Sequence, residues 1–375
     1  TNQEDCDIGK RFKMSWFGKK KDKHTGFMGD LSGSQQEALD EFRKTIRDNG
    51  LTSDTRYDDY YLLRFLRARQ FKLDKALKMF KDFLDWRVEY RADEAIVLYK
   101  CPNIPEARKL YQHGYHGVDR VGRPFYIDQP CKFDIDELLQ VVTKDELYTY
   151  YVREYEKLLH IRFPACSALT GTKIEQSFSL LSIEGFTMGK LKEKSREFVK
   201  IAISIGRDYY PEIMAKMYIV NAPFLFKGAW AIFKPFIDEK TRDKISIVGS
   251  GFQKDLFKYV DPSNVPAELG GKCVCADCEG GCFFSDKGPW HEYPGDEFGE
   301  AAKQQLLEEE KKDDPVPVPV PVPAPVVTPV PVPVPMPVPA PDVSSQSAGV
   351  PDVPGLGQVT VQMDHMQLGS PPGQQ

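Results

Sequence analysis

No apolar run in this chain approaches the roughly 18 residues that a membrane-spanning helix needs, so none is expected. The first thirty residues are charged throughout and do not read as a secretory signal. A basic excess is missing as well. Residues 315–375 hold 17 of the 29 prolines with three Asp and no Lys or Arg, which leaves the first 314 residues with 50 basic against 52 acidic side chains. That near-neutral balance argues against a dedicated nucleic-acid binder. The phosphate-cradling signatures are absent too: no Gly-x-Gly-x-x-Gly follows a strand-like segment, and there is no Walker-type loop. Gly249-Ser250-Gly251 is too short for either and fails the nucleophile-elbow spacing. The six histidines contain no His-Glu-x-x-His pair. His113 and His116 flank glycines in what reads as a loop, with no acid placed to orient them, and are taken as turn or surface histidines. No Ser, His and Asp fall in an order that spacing supports. The chain does not read as an enzyme.

A disulfide framework is also missing. Cys6, Cys101, Cys131 and Cys166 are scattered singly through a chain long enough to build its own core, which favours free thiols in a reducing compartment. Cys273, Cys275, Cys278 and Cys282 follow a C-x-C-x2-C-x3-C spacing between two Gly-Gly pairs. Structural zinc sites ordinarily pair two C-x2-C knuckles or draw histidines from a distance. Four thiolates converging from so short a segment is tight. It is therefore read as a glycine-rich turn with free cysteines, and no metal is assigned.

What is present is organised in blocks. Residues 1–33 read as a disordered leader. Between Ile8 and Lys23 it carries seven Lys/Arg against one acid, interleaved with Phe12, Met14, Trp16 and Phe17, a pattern compatible with weak adsorption to anionic lipid. Ser34 and Glu37 have the spacing of a capping box, so ordered structure is expected from Ser34. Leu39, Phe42 and Ile46 mark one helical face. Helices are also expected over Asp58–Arg69 and Asp74–Tyr90, the latter with Leu77, Phe80, Leu84 and Arg87 on one stripe. Residues 34–110 are thus a helical lobe.

From about Tyr111 the pattern alternates. Strand-like segments at Pro124–Asp128, Phe178–Ile183, Met217–Asn221 and Ile245–Val248 are separated by helical stretches at Lys144–Phe163, Lys190–Tyr209 and Phe224–Phe236. The fold class is α/β: a helical N-terminal lobe, then residues 111–300 built on a modest, largely parallel sheet. Residues 301–314 are a charged helical extension. In residues 315–341 proline alternates with Val or Ala, which forbids helix and sheet and gives a polyproline II rod of roughly 80 Å at ~3.1 Å per residue. Residues 342–375 read as disordered. The stretch from Phe224 to Ile237 is apolar on nearly every face, broken by Lys227 and Lys234. Such a helix is either core or the cover of a greasy cavity that also meets a membrane.

Several motifs occur in order: Leu62-Leu63-Arg64-Phe65-Leu66-Arg67-Ala68-Arg69, Gly122-Arg123-Pro124, Tyr209-Tyr210-Pro211-Glu212, Asn221-Ala222-Pro223-Phe224, Phe233-Lys234-Pro235-Phe236, Leu269-Gly270-Gly271, and Ser285-Asp286-Lys287-Gly288-Pro289-Trp290. Together they resemble the CRAL-TRIO family, and within it the yeast-type phosphatidylinositol/phosphatidylcholine transfer proteins of the secretory pathway. The resemblance runs from about Asp54 to Trp290 and excludes leader and tail. It implies a lipid cavity floored by the sheet and covered by a gating helix carrying Phe224, Phe226, Trp230, Phe233 and Phe236. It further implies a phosphatidylinositol headgroup site at Arg69, Glu212, Thr241 and Lys244, with Gln70 where the family often has a second base. A phosphatidylcholine site is implied at Tyr115, Tyr126, Tyr155, Ser177 and Ser179. Two cations suit a phosphodiester; tyrosine faces suit a quaternary ammonium. The implied ligand is phospholipid, with no cofactor. The implied partners are a membrane surface and phosphatidylinositol kinases, and the implied place is the cytoplasm, peripheral to Golgi or endosomal membranes. Two readings stand beside this one. The chain is an adaptor acting through its tail, or it carries a neutral hydrophobic ligand as other CRAL-TRIO relatives do. The cations at Arg69 and Lys244 argue against the latter, since such ligands lack a phosphate.

Overall fold

Strand alternation decides which side of this protein is packed and which is hollow. The structure, a computed structural model, describes residues 24–99, 101–293 and Gln304; the leader through Lys23, nearly all of the charged run and the whole proline-rich tail lie outside the described residues. Helices α1 (Gly33–Asp48), α2 (Asp59–Ala68), α3 (Leu73–Tyr90), α4 (Ala95–Leu98) and α5 (Ile104–Leu110) make the N-terminal lobe. Strands β1 (His113–Val118) and β2 (Pro124–Asp128) follow, then α6 (Ile135–Val141) and α7 (Lys144–Lys157). α7 runs through a π turn (Leu158–Arg162) into α8 (Phe163–Thr170). The rest is β3 (Ser177–Ser182), α9 (Glu193–Asp208), β4 (Met214–Val220), α10 (Phe226–Phe233), α11 (Glu239–Asp243), β5 (Ile245–Ile247) and α12 (Gln253–Leu256).

The N-terminal lobe departs from expectation at its start. The capping box is Ser32 with Gln35, not Ser34 with Glu37: the Gln35 amide donates to Ser32 Oγ at 3.2 Å, and the Ser32 amide donates back to Gln35 Oε1 at 2.9 Å. Residues 24–32 are not leader either. A tight turn pairs Phe27 with Asp30, and the Arg67 guanidinium sits 3.9 Å from the Phe27 ring centroid. On α3 the deepest stripe is Phe80, Phe83, Trp86 and Arg87, while Leu77 and Leu84 are only partly buried. Phe42, Phe65, Phe80 and Phe83 form an aromatic cluster continuous with the packing of α7 and α8.

The five strands lie in the order β1-β2-β3-β4-β5, with β1 and β2 antiparallel and the others parallel. β1 lies where the sequence reads as a loop. Gly114, Gly117 and two histidines hide its alternation, and a bulge between Tyr115 and Val118 breaks it. Because successive side chains point to opposite faces, the register divides the sheet cleanly. Phe125, Ile127, Phe178, Leu180, Tyr218 and Val220 face one way and pack against Phe252, Leu256, Val260, Val265, Leu269 and Phe283 of the C-terminal segment. The register aligns Tyr115, Tyr126, Ser179, Met217 and Ile245 in one row across the other face, where they border a cavity.

A buried ion pair joins the lobe to this framework. Arg87 on α3 donates to both carboxylate oxygens of Glu156 on α7, at 2.8 and 3.1 Å, and the Tyr210 hydroxyl donates to Glu156 at 2.5 Å. Burial would raise the Glu156 carboxyl, but the Arg87 guanidinium more than offsets it and holds the group well below the carboxylate range. Removing Glu156 leaves the buried Arg87 guanidinium only the more exposed Asp93 as counter-charge among the described residues. Glu156→Gln is therefore expected to cost about 3–5 kcal/mol in urea unfolding. Lys78→Ala, which breaks an exposed pair with Asp82, should cost about 0.5 kcal/mol at most. Equal losses in the two variants would contradict the assignment.

Candidate functional site

The cavity encloses about 520 Å³ between the sheet and the helices α7, α9 and α10. On α9 the bordering residues Phe198, Val199, Ala202 and Ile203, with Gly206 one turn on, make an apolar stripe of helical period, flanked along the cavity by Ser195 and Arg207. Only Ile205 of α9 is fully buried, so the apolar face of this helix looks into the cavity and not into packed core. From α10 and the turn after it come Phe226, Trp230, Phe233 and Phe236. Phe224 does not join them. It is 83% exposed with Leu225 beside it, because the chain turns into α10 only at Phe226 and leaves these two at an outer tip.

Polar groups gather at two places on the wall. At one, Arg69, Glu212, Thr241 and Lys244 all border the cavity. Glu212 follows Pro211 in the left-handed region at φ 61° and turns its carboxylate toward Lys244, 2.9 Å away. Arg67 approaches the same carboxylate at 3.7 Å and Glu175 at 3.5 Å. Thr241 donates to Asp238, which caps α11. Burial lowers the pKa of Arg69, a shift partly offset by Asp208 and Asp238. Its side chain has no carboxylate at ion-pair distance among the described residues and bonds only the Ala68 carbonyl at 3.4 Å, so a guanidinium is left available to an anion. Gln70 is exposed and does not border the cavity.

At the other place, Tyr115, Tyr126, Tyr155, Ser177 and Ser179 border the cavity together. Tyr115 and Tyr126 meet edge to face at 5.2 Å, and Tyr155 stacks on Tyr210 at 4.6 Å. Burial pushes the Tyr155 hydroxyl up to about 12, so it stays a neutral donor. Ser177 Oγ donates to the Ile213 carbonyl at 3.3 Å.

Sequence reasoning missed several groups here. His113, on β1, borders the cavity and hydrogen-bonds the Tyr150 hydroxyl at 3.2 Å, so it is a buried strand residue and not a turn histidine. Asp128 also borders the cavity; Tyr111 donates to its Oδ2 at 2.8 Å while Oδ1 is buried without a partner among the described residues. Alternation in β2 from Tyr126 would have found it. Lys240 closes the first group by donating to the Arg67 carbonyl at 3.1 Å. Nothing local marks it.

A helical lobe joined to a short mixed sheet with a cavity under a hydrophobic helix defines a class, and the chain belongs to the CRAL/TRIO family. The CRAL/TRIO domain matches residues 108–271 and the CRAL/TRIO N-terminal domain residues 38–82. The chain is similar to the Sec14 cytosolic factor of Schizosaccharomyces pombe, 40% identical over 71% of this chain and 91% of that protein. It is also similar to the phosphatidylinositol/phosphatidylcholine transfer protein SFH7 of Arabidopsis thaliana, 37% identical over 77% of this chain and 54% of that protein. The chain spans about half the length of SFH7 and of its relative SFH12. Among solved structures, the fold resembles the crystal structure of Sfh5, with a TM-score of 0.52 at 20% identity over 75% of this chain and 100% of that one. Among the described residues no helix is long and apolar enough to cross a membrane.

Asp128 supplies a test of the wall. Burial pushes its carboxyl up to about 7, with the Tyr111 hydrogen bond opposing. Between about pH 4, where the unfolded chain's carboxyl titrates, and about pH 7, the folded protein keeps a proton that the unfolded chain has lost. Stability from this group is thus complete at low pH and falls as pH rises through that window, by about 1.4 kcal/mol per unit. Asp128→Asn should flatten the fall and be the more stable form above it. Urea midpoints against pH that fall equally in both proteins would contradict this.

Proposed function

We propose that the chain binds phosphatidylinositol and phosphatidylcholine, one at a time, in this cavity and exchanges them between membranes. The observation that carries the reading is that both polar groups, one cationic and one of hydroxyls and tyrosine rings, border a single apolar cavity. Arg69 and Lys244 take the phosphodiester of the inositol lipid; Glu212 and Thr241 accept from or donate to its ring hydroxyls. Lys244 donates to Glu212, and the lipid phosphate competes for that contact. The serines on β3 take the phosphate of the choline lipid, and Tyr115, Tyr126 and Tyr155 offer ring faces to its ammonium.

Energetics dictate where exchange happens. Two acyl chains of ~30 methylenes resist leaving a bilayer by roughly 25 kcal/mol at about 0.8 kcal/mol each. The wall formed by α9, α10 and the sheet must replace nearly all of that burial, so the lipid passes directly between membrane and cavity. α10 is the gate. Phe224 and Leu225 at its exposed tip enter the interface, and Lys227, 4.5 Å from the Phe224 ring, suits an anionic headgroup. No covalent chemistry and no cofactor enter this scheme. Its cellular consequence is presentation of phosphatidylinositol to lipid kinases by a protein peripheral to Golgi or endosomal membranes.

Vesicle-to-vesicle transfer of each labelled lipid tests the reading. Arg69→Ala and Lys244→Ala should each lower phosphatidylinositol transfer by roughly tenfold or more, the loss of one charge-assisted hydrogen bond, and spare phosphatidylcholine. Ser177→Ala with Ser179→Ala should do the reverse. Variants that lose both lipids in parallel, or a parent protein that moves neither, would overturn it.

A further inference from the structure

The glycine-rich cysteine segment is explained by nothing above, and it lies on the face of the sheet opposite the cavity. Tyr115 points into the cavity, so His116, next on β1, points the other way. Its ring is fully buried, its Nδ1 meets the Ser285 hydroxyl at 2.9 Å, and its Nε2 is buried with no hydrogen-bond partner among the described residues. Cys273, Cys275 and Cys282 close on the same place. One ligand atom from each of these four residues lies within 4.8 Å of all the others. We propose that His116, Cys273, Cys275 and Cys282 form a structural metal site whose ion is zinc.

Distances favour coordination over a disulfide. The Cys273 and Cys275 sulfurs are 3.6 Å apart. A disulfide needs about 2.05 Å, whereas two thiolates on a tetrahedral zinc, each at about 2.3 Å, stand about 3.8 Å apart. Three thiolates and an imidazole are a closed structural set for that ion, with no position left for water or substrate. The spacing alone misled because Cys278 was counted as the fourth ligand. Its thiol instead bonds the neighbouring Glu279 carbonyl at 3.5 Å, and the fourth ligand comes from a strand more than 150 residues earlier.

The backbone is arranged for this convergence. The Cys273 amide donates to the Val265 carbonyl at 3.0 Å, and the Ala267 amide donates to the Cys273 carbonyl at 2.8 Å. A side chain at Gly271 would strike the Val265 carbonyl at 2.0 Å, and one at Gly114 would strike the Phe283 carbonyl at 2.7 Å, so both close approaches require glycine. Between Leu269 and Cys282 the segment contributes no side chain to the buried core, and Val274 is exposed. An ion supplies the anchor that apolar packing does not. It ties β1 to the strap carrying Asp286, which pairs with Arg162 at 3.1 Å; Arg162 in turn covers the cavity residue Tyr115 at 4.2 Å.

The test uses the full chain, purified under reductant without chelator. Native mass spectrometry and elemental analysis should find one zinc per chain. Cobalt exchange should give thiolate-to-cobalt charge-transfer and tetrahedral ligand-field bands, a readout that needs no variant. Cys278→Ser should keep the zinc and Cys282→Ser should lose it. Ser285→Ala, which removes the group orienting the imidazole, should weaken zinc affinity roughly 10–100-fold. Failure of the reduced protein to retain added zinc, equal loss in Cys278→Ser and Cys282→Ser, or a disulfide among these cysteines in freshly alkylated protein would each overturn the proposal. None of these readouts depends on lipid.

Discussion

One constraint governs the molecule: one face of its sheet is closed by core packing, while the other also floors a cavity. Phe125, Phe178 and Tyr218 press against the C-terminal segment and make an ordinary core. Their neighbours Tyr126, Ser179 and Met217 border the cavity, which α10 covers where Phe226, Ala229 and Trp230 pack with Met217, Ile219 and Ile245. Protein interiors are otherwise close-packed, and an apolar surface facing a void forfeits both dispersion contacts and the benefit of leaving water. α9 and α10 turn apolar side chains toward that cavity. On the proposed reading, a flexible, largely apolar lipid completes the fold as much as it occupies it.

The remaining features maintain that hollow. The Arg87–Glu156 pair fixes the helical lobe to α7, and Tyr210 joins the same carboxylate from the segment that leads into Glu212. Rigid anchoring at that corner holds the cationic group in register with the sheet. The π turn after α7 carries His160 to the Glu156 carboxylate, and Arg162 to Glu154 and Asp286. Opposite this framework, α10 carries no buried ion pair among the described residues, and its tip is exposed. The proposed gate is thus without such an anchor.

Legibility in the sequence followed the range of the interactions. β2 was readable to the residue, since alternation and flanking turns are local signals. β1 was not, because glycines and histidines erase the contrast on which periodicity depends. The capping box was misplaced by two residues, as both serines satisfy the spacing and only the backbone at Ser32 chooses. The nine residues proposed for the headgroups came through the resemblance, and all of them border the cavity. The resemblance places Phe224 in the gate with the other aromatics, yet α10 starts only at Phe226 and leaves Phe224 outside the lining. Asp128 and Lys240 were missed because burial and a distant partner, not their neighbours in sequence, give them their roles. His116 and the three cysteines were separated for the same reason.

The central claim is that the hollow face is built for a phospholipid. Comparing native and denatured masses of the protein purified from a eukaryotic host, with identification of the extracted lipid, tests it most directly. The account predicts about one phospholipid per chain, divided between phosphatidylinositol and phosphatidylcholine. An empty protein, or one carrying a neutral isoprenoid, would contradict it.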